Sequence, residues 1–219
     1  MAVSTIDSSG LTSPLTTALP VTSGGTGATT STGSGANVLG TSPAIASPTL
    51  TSPTISGTPV MGASIITSGT AVALSGTAVG FTGIPSWVKR ITLMLYNGVS
   101  ASGTSNIQIQ IGSGSYTTSG YTGAFGQFVN GSASSWTAIS TGFGIFNNNA
   151  PDIINGSMVL TLATGNTWVI SGMTIATNRG IMNNTTGYLA LGGALDRIQL
   201  TTVNGTDTFD SGSINILYE

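Results

Sequence analysis

The chain has 219 residues, of which only 5% are charged, with 32 glycines and neither cysteine nor histidine. Four basic residues against six acidic ones leave a net charge of −2, which cannot build the cationic face that a phosphate backbone demands, so nucleic acid is excluded as a partner. Without Cys or His there is no disulfide framework, no thiolate or imidazole metal site and no Ser-His nucleophile pair.

The first residues, MAVSTIDSSGLTSPL, lack the basic start and apolar stretch of a signal peptide. No apolar run approaches the roughly 20 residues of a spanning helix. The expectation is no membrane insertion: a protein made in the cytoplasm that stays there or joins an assembly there. Residues 1–78 are Thr, Ser, Gly, Pro and small apolar residues, with Asp7 the only charge and no aromatic. They read as an extended attachment and stalk region. A lone chain of this composition has nothing from which to build a core.

Within it, PVTSGGTGATTSTGSGANVLG (20–40) has the glycine density of a phosphate loop. A P-loop needs a lysine after its last glycine, and no lysine precedes Lys89. The dinucleotide fingerprint also fails, because Gly25-x-Gly27 is followed by Thr30 where a third Gly or Ala belongs. Neither nucleotide nor any other cofactor is expected.

Next comes TSPAIASPTLTSPTISGTPV, in which Pro43, Pro48 and Pro53 recur every five residues with Ile45, Leu50, Ile55 and Val60 in step. Each proline inside a helix costs about 3 kcal/mol and removes a backbone donor, so a helix is excluded. A period of five also disagrees with the strand period of two. Three arrangements fit: a bend at each Ser-Pro, a disordered linker, or three identical chains around an axis onto which Ile45, Leu50, Ile55 and Val60 pack.

From residue 79 to 219 short apolar alternations separated by turn signals predict an antiparallel β domain. WVKRITLMLYNG sets Ile91, Leu93 and Leu95 against Thr92, Met94 and Tyr96, and NIQIQIGS sets Ile107, Ile109 and Ile111 against Gln108 and Gln110. GSMVLTLAT and NTWVISG turn Met158, Leu160 and Leu162, then Trp168 and Ile170, inward. GYLALGG, DRIQLTTV and SINILYE supply further strands. Asn-Gly pairs at 97/98, 130/131, 155/156 and 204/205 predict hairpins, since both residues tolerate the positive φ of a type I′ turn. No segment carries a helical period.

PVTSGGTGATTSTGSGANVLGTSPAIASPTL resembles the Gly/Thr-rich connector of tail-fibre and related virion proteins of tailed bacteriophages. GIPSWVKRITLMLYNGVSASGTSNIQIQIGSGSYTTSGYTG and ALDRIQLTTVNGTDTFDSGSINILYE are similar to the first and last parts of a C-terminal β domain that follows such connectors. The resemblance covers about residues 20–60, 83–123 and 194–219. It implies a non-enzymatic homotrimeric virion fibre, with an N-terminal stalk that attaches to other tail or capsid proteins and a distal head that meets the host surface. The expected fold is therefore all-β, an extended stalk followed by an antiparallel, jelly-roll-like β-sandwich head. The expected role is a tail fibre that binds a bacterial surface polysaccharide or protein receptor. The alternative is a head-decorating or collar fibre that binds other virion proteins.

The chemical alternatives are weaker. Asp152, Asp196, Asp207 and Asp210 could in principle pair for glycoside cleavage, but Asp207 and Asp210 lie in a Gly/Thr-rich turn region where Asp commonly bonds backbone. A Ser-Lys pair would have to use Lys89, which has no motif around it. The oxygen-rich NNNAPD at 147–152 has one carboxylate and no calcium-loop spacing, so turn formation explains it better. Lys89, Arg90 and Arg197 are expected to be structural ion partners, Asp196 adjoining Arg197. Recognition is expected in the centre, because half of the aromatic residues fall between 116 and 146: Tyr116, Tyr121, Phe125, Phe128, Trp136, Phe143 and Phe146. For any one of them a core position is the plainer reading. Tyr121, Trp136 and the loop Asn147, Asn148 and Asn149 are the expected receptor-binding residues at an exposed tip, aromatic faces for sugar rings beside amides for hydroxyls.

Overall fold

The computed structural model describes residues 66–129, 134–147, 149–150 and 152–219. The stalk positions Ile45, Leu50, Ile55 and Val60, the Asn130-Gly131 pair and Asn148 lie outside the described residues.

The described residues are all strand and connection, with no helix. In chain order the strands are β1 (Thr67–Ser68), β2 (Val72–Ala73), β3 (Ala78–Thr82), β4 (Arg90–Ala101), β5 (Ile107–Ser113), β6 (Ser115–Tyr116) and β7 (Thr122–Phe128). They continue as β8 (Ser135–Ile139), β9 (Phe143–Ile145), β10 (Ile154–Thr164), β11 (Thr167–Ala176), β12 (Ile181–Ala190), β13 (Arg197–Thr202) and β14 (Phe209–Tyr218). Every pairing is antiparallel.

Nine strands form one sheet in the order β1-β14-β4-β10-β11-β12-β7-β8, with β2 also on β14, and five form a second in the order β3-β13-β5-β6, with β9 on β5. The period-2 alternation explains the assembly. Ile91, Leu93 and Leu95 of β4, Met158 and Leu160 of β10, Ile170 of β11 and Ile214 of β14 are all at most 2% exposed on the large sheet. They join Ile107, Ile109 and Ile111 of β5 and Ile198 and Leu200 of β13 in one apolar cluster. Each such side chain contributes on the order of 1.5–3 kcal/mol by leaving water.

The other face of β5 is also covered, which its glutamines did not announce. Gln108 accepts from the Thr141 hydroxyl at 2.8 Å, and Gln110 Nε2 donates to the Thr141 carbonyl at 2.9 Å. Gln199 Nε2 donates to Gln110 Oε1 at 2.8 Å. The segment before β9 thus lies across β5, and both amides are bonded where burial would otherwise be costly.

Two short strands before residue 79, β1 and β2, hydrogen-bond to β14. The three described Asn-Gly pairs, 97/98, 155/156 and 204/205, do not close hairpins. Asn97 and Gly98 do adopt positive φ, 59° and 72°, but in the middle of β4. There they form a bulge, since Leu95 faces Gly156 and Val99 faces Ile154 on the neighbouring strand. The apolar runs on both sides of the pair find the same partner strand, so the chain kinks instead of reversing. Asn155 and Gly156 lie inside β10 opposite that bulge, and Asn204-Gly205 turns the chain from β13 into β14, which belong to different sheets. The reversals are made at Gly165, between β10 and β11, and at Gly180, between β11 and β12, with φ of 53° and 65°.

Candidate functional site

The registers give the domain two ends. Thr67 pairs with Tyr218, and Glu219 exchanges backbone hydrogen bonds with Arg90, so β1, the start of β4 and the end of β14 meet at one end. An exposed ion pair at 3.2 Å between Arg90 and Glu219 marks that end. Strands that start there run to the opposite end, where the connections are rich in Asn, Gly, Ser and Thr: 102–106, 146–153, 177–180 and 203–208.

These distal connections are tied to one another. Asn147 donates its backbone N–H to Asn106 Oδ1 at 3.0 Å and its side-chain amide to the carbonyls of Gly103 and Ser105 at 3.1 and 3.0 Å. Asp207 accepts from the Ser105 N–H at 3.1 Å and from Asn204 Nδ2 at 2.8 Å. Its carboxylate lies where a Cβ at Gly103 would be, so a side chain there would displace it. The buried carboxylate of Asp152 is paired with Arg179 at 3.3 Å, and Asn178 Oδ1 accepts from the Ile153 N–H at 3.0 Å. Arg179, in the turn between β11 and β12, was not singled out from sequence. Only the folded meander brings that turn to the start of β10.

Two of the expected receptor-contact residues are buried, a correction to the exposed-tip expectation. Tyr121 is 3% exposed; its hydroxyl accepts from the Ile111 N–H at 2.9 Å and donates to the Thr117 carbonyl at 2.9 Å. Its ring meets Phe143 edge-on, with centroids 4.8 Å apart. Burial pushes the phenol up to about 12, while the Ile111 hydrogen bond pulls the other way. Asn147 is fully buried in the loop network. The backbone partners of Tyr121 lie four and ten residues away along the chain, and those of Asn147 more than forty. Asn149 is exposed.

Trp136 is the opposite case. It lies on β8, the last strand of the large sheet, and is 75% exposed. Its cross-strand partner is Gly126, and the exposed Phe128 is two residues further along β7. Small residues at Ala124 and Gly126 leave a recess of about 210 Å³ between the rings, bordered by Gln127, Ser135, Asn184 and Thr186. Aromatic faces over a shallow floor, ringed by amides and hydroxyls and with no formal charge, suit a neutral, polyhydroxylated ring better than an ionic ligand.

Beside β13, Asp196 and Arg197 form a bidentate pair at 2.8 and 3.1 Å, and the guanidinium lies 5.6 Å from the Tyr116 ring centroid. The hydrogen bond from Arg197 holds the Asp196 carboxyl below its ordinary range. The carboxylates at 152, 196 and 207 are thus bound to protein groups, and the described residues contain no cluster of three acidic side chains that could hold a metal ion. The chain matches no family model, no curated protein and no solved structure.

Proposed function

We propose that the chain is a non-enzymatic bacteriophage virion protein, a homotrimeric tail fibre. Its N-terminal region is the stalk and attaches to other tail or capsid proteins. Its two-sheet, jelly-roll-like β-sandwich head adsorbs to a glycan on the host surface. The connector at 20–50 and the ending GSINILYE support the family reading. The observation that carries the binding role is the cleft between Trp136 and Phe128, on the half of the sheet away from the chain's point of arrival.

A sugar ring stacking its C–H face on the Trp136 indole would offer its hydroxyls to Asn184, Thr186 and Gln127. One such contact is weak, and three clefts on one particle give avidity. No chemical step is proposed, because Asp152, Asp196 and Asp207 already serve structural partners.

The test is binding of the purified full chain to purified host surface polysaccharide and to intact cells, compared with Trp136→Ala. Saturable binding that the substitution abolishes supports the reading. Release of oligosaccharide would show an enzyme instead. Binding only to other virion proteins would favour the head-decorating or collar fibre.

A further inference from the structure

The exposed apolar side chains are not scattered. Of the eleven large ones among the described residues, seven lie on the adjacent strands β8, β7, β12 and β11: Trp136, Phe128, Met182, Tyr188, Val169, Met173 and Ile175. The registers put them on one side of the sheet. Phe128 faces Met182, which faces Ile175; Tyr188 faces Val169; Met173 faces Asn184 and, across β10, Ser157 and then Met94 of β4. Residues directly opposite in an antiparallel pair point to the same face. That face is the outer one, since Trp168, Ile170, Thr174 and Ala176 alternate with them and are buried.

None of the chain's charged residues lies in β7, β8, β10, β11 or β12. Arg90, the first residue of β4, lies on this face in register with Thr161 and Val169 and is paired with Glu219, while Asp152–Arg179 sits beyond the other end. The relief also changes along it. At β7 the surface drops into the Trp136 recess, whereas over β4, β10, β11 and β12 it carries Met94, Val159, Val169, Met173, Ile175 and Tyr188.

We infer that the outer face of β4, β10, β11 and β12 is where copies of this chain meet, around an axis that runs along the strands. This rests on the homotrimer reading and adds the surface to it. Three observations select a further copy as the occupant. Around a rotation axis the same residues of each copy converge, so an unpaired charge would meet like charges; the charge on this face is Arg90, at its edge and paired with Glu219. Its size fits: four strands of about ten residues cover roughly 600 Å² as a flat footprint. Side-chain relief brings that close to the about 800 Å² per partner of a stable interface, and beyond the 300–600 Å² patch of an ordinary monomer. An axis along the strands also places every point of chain arrival at one end and every Trp136 cleft, which Asn184 and Thr186 of β12 border, at the margin of the contact toward the other.

The natural absence of cysteine makes the test free of background. The full chain carrying Val169→Cys, Met173→Cys or Ile175→Cys is treated with a short bismaleimide, with Ser115→Cys, exposed on the other sheet, as the control. Mass in solution is measured by light scattering. A three-copy mass with covalent dimers from at least one of the first three variants, and none from Ser115→Cys, is the expected result. A three-copy mass with no linking from those variants, or with equal linking from Ser115→Cys, overturns the face while the trimer reading stands. A one-copy mass overturns the trimer reading and the inference with it. Trp136→Ala should leave both mass and linking unchanged, and loss of either would place the contact on the cleft instead.

Discussion

The backbone N–H of Gly98 donates to the side-chain carbonyl of Asn155 at 2.9 Å, so the bulge of β4 is held by the strand it distorts. The bulge leaves this N–H without a ladder partner, and the Asn155 amide takes that place. Asn155→Ala should therefore cost about 1–2 kcal/mol, the usual penalty for stranding a part-buried donor. The urea midpoint of the β domain should fall while the slope of the transition stays the same.

Tyr121 links the same kind of accounting to pH. Its proton is held until about pH 12 in the folded chain, against an ordinary value of 10.0 when unfolded. Between those values the unfolded chain has lost a proton that the folded chain keeps. Stability is thus fully present below pH 10 and falls as pH rises toward 12, by on the order of 2–3 kcal/mol. Tyr121→Phe should lower stability by about 1–3 kcal/mol at pH 7, because the Ile111 N–H loses its acceptor. It should also flatten the alkaline loss. Thermal unfolding of both proteins from pH 8 to 12 measures both effects.

Trp136→Ala is expected to leave unfolding within about 0.5 kcal/mol of the native chain, as for other exposed positions away from the core. The same substitution should abolish glycan binding under the proposed function. Substituting the buried Tyr121 by Ala should do the reverse, costing about 3–5 kcal/mol as a core aromatic. The pair separates recognition from packing through two aromatics that sequence treats alike.

Gly103→Ala should push the Asp207 carboxylate off the Ser105 N–H, because a Cβ at 103 overlaps it. Hydrogen exchange of the Ser105 amide should accelerate at least tenfold, with the strands of the large sheet unaffected.

The Asp196–Arg197 pair looks strong in geometry but is partly in water, with side-chain exposures of 37% and 23%. A double-mutant cycle should find only the weak coupling of a solvent-screened surface pair. Since the carboxyl is held low, the coupling is present above the ordinary range of an aspartate and is lost as pH falls through the depressed folded value.

Strands that bury one face of branched side chains were legible: the alternations at 91–95, 107–111 and 158–160 appear in the fold as read. What stayed hidden was pairing made by backbone alone. β1 and β2 have two residues each and no pattern; they exist because β14 offers them hydrogen bonds. β7 carries Gly123 and Gly126 among its apolar residues, so its period was obscured. Trp136 was legible as an aromatic among small polar residues. Tyr121 and Asn147 shared that signal and went inside: the Tyr121 hydroxyl is bonded to Ile111 and Thr117, and the Asn147 side-chain N–H groups to Gly103 and Ser105, partners more than forty residues away that chain distance conceals.

The position of β14 between β1 and β4 governs when the domain can close. β10, β11 and β12 form a meander from neighbouring segments, so loop closure costs them little. β4 is finished on one side by β10, but its other side waits for β14, the last of the described strands in chain order. Until β14 emerges, β4 offers an unpaired edge of twelve residues. On a polysome that edge is open to the β14 of a neighbouring nascent chain, so the step that closes this sheet is also the one most exposed to strand exchange between copies.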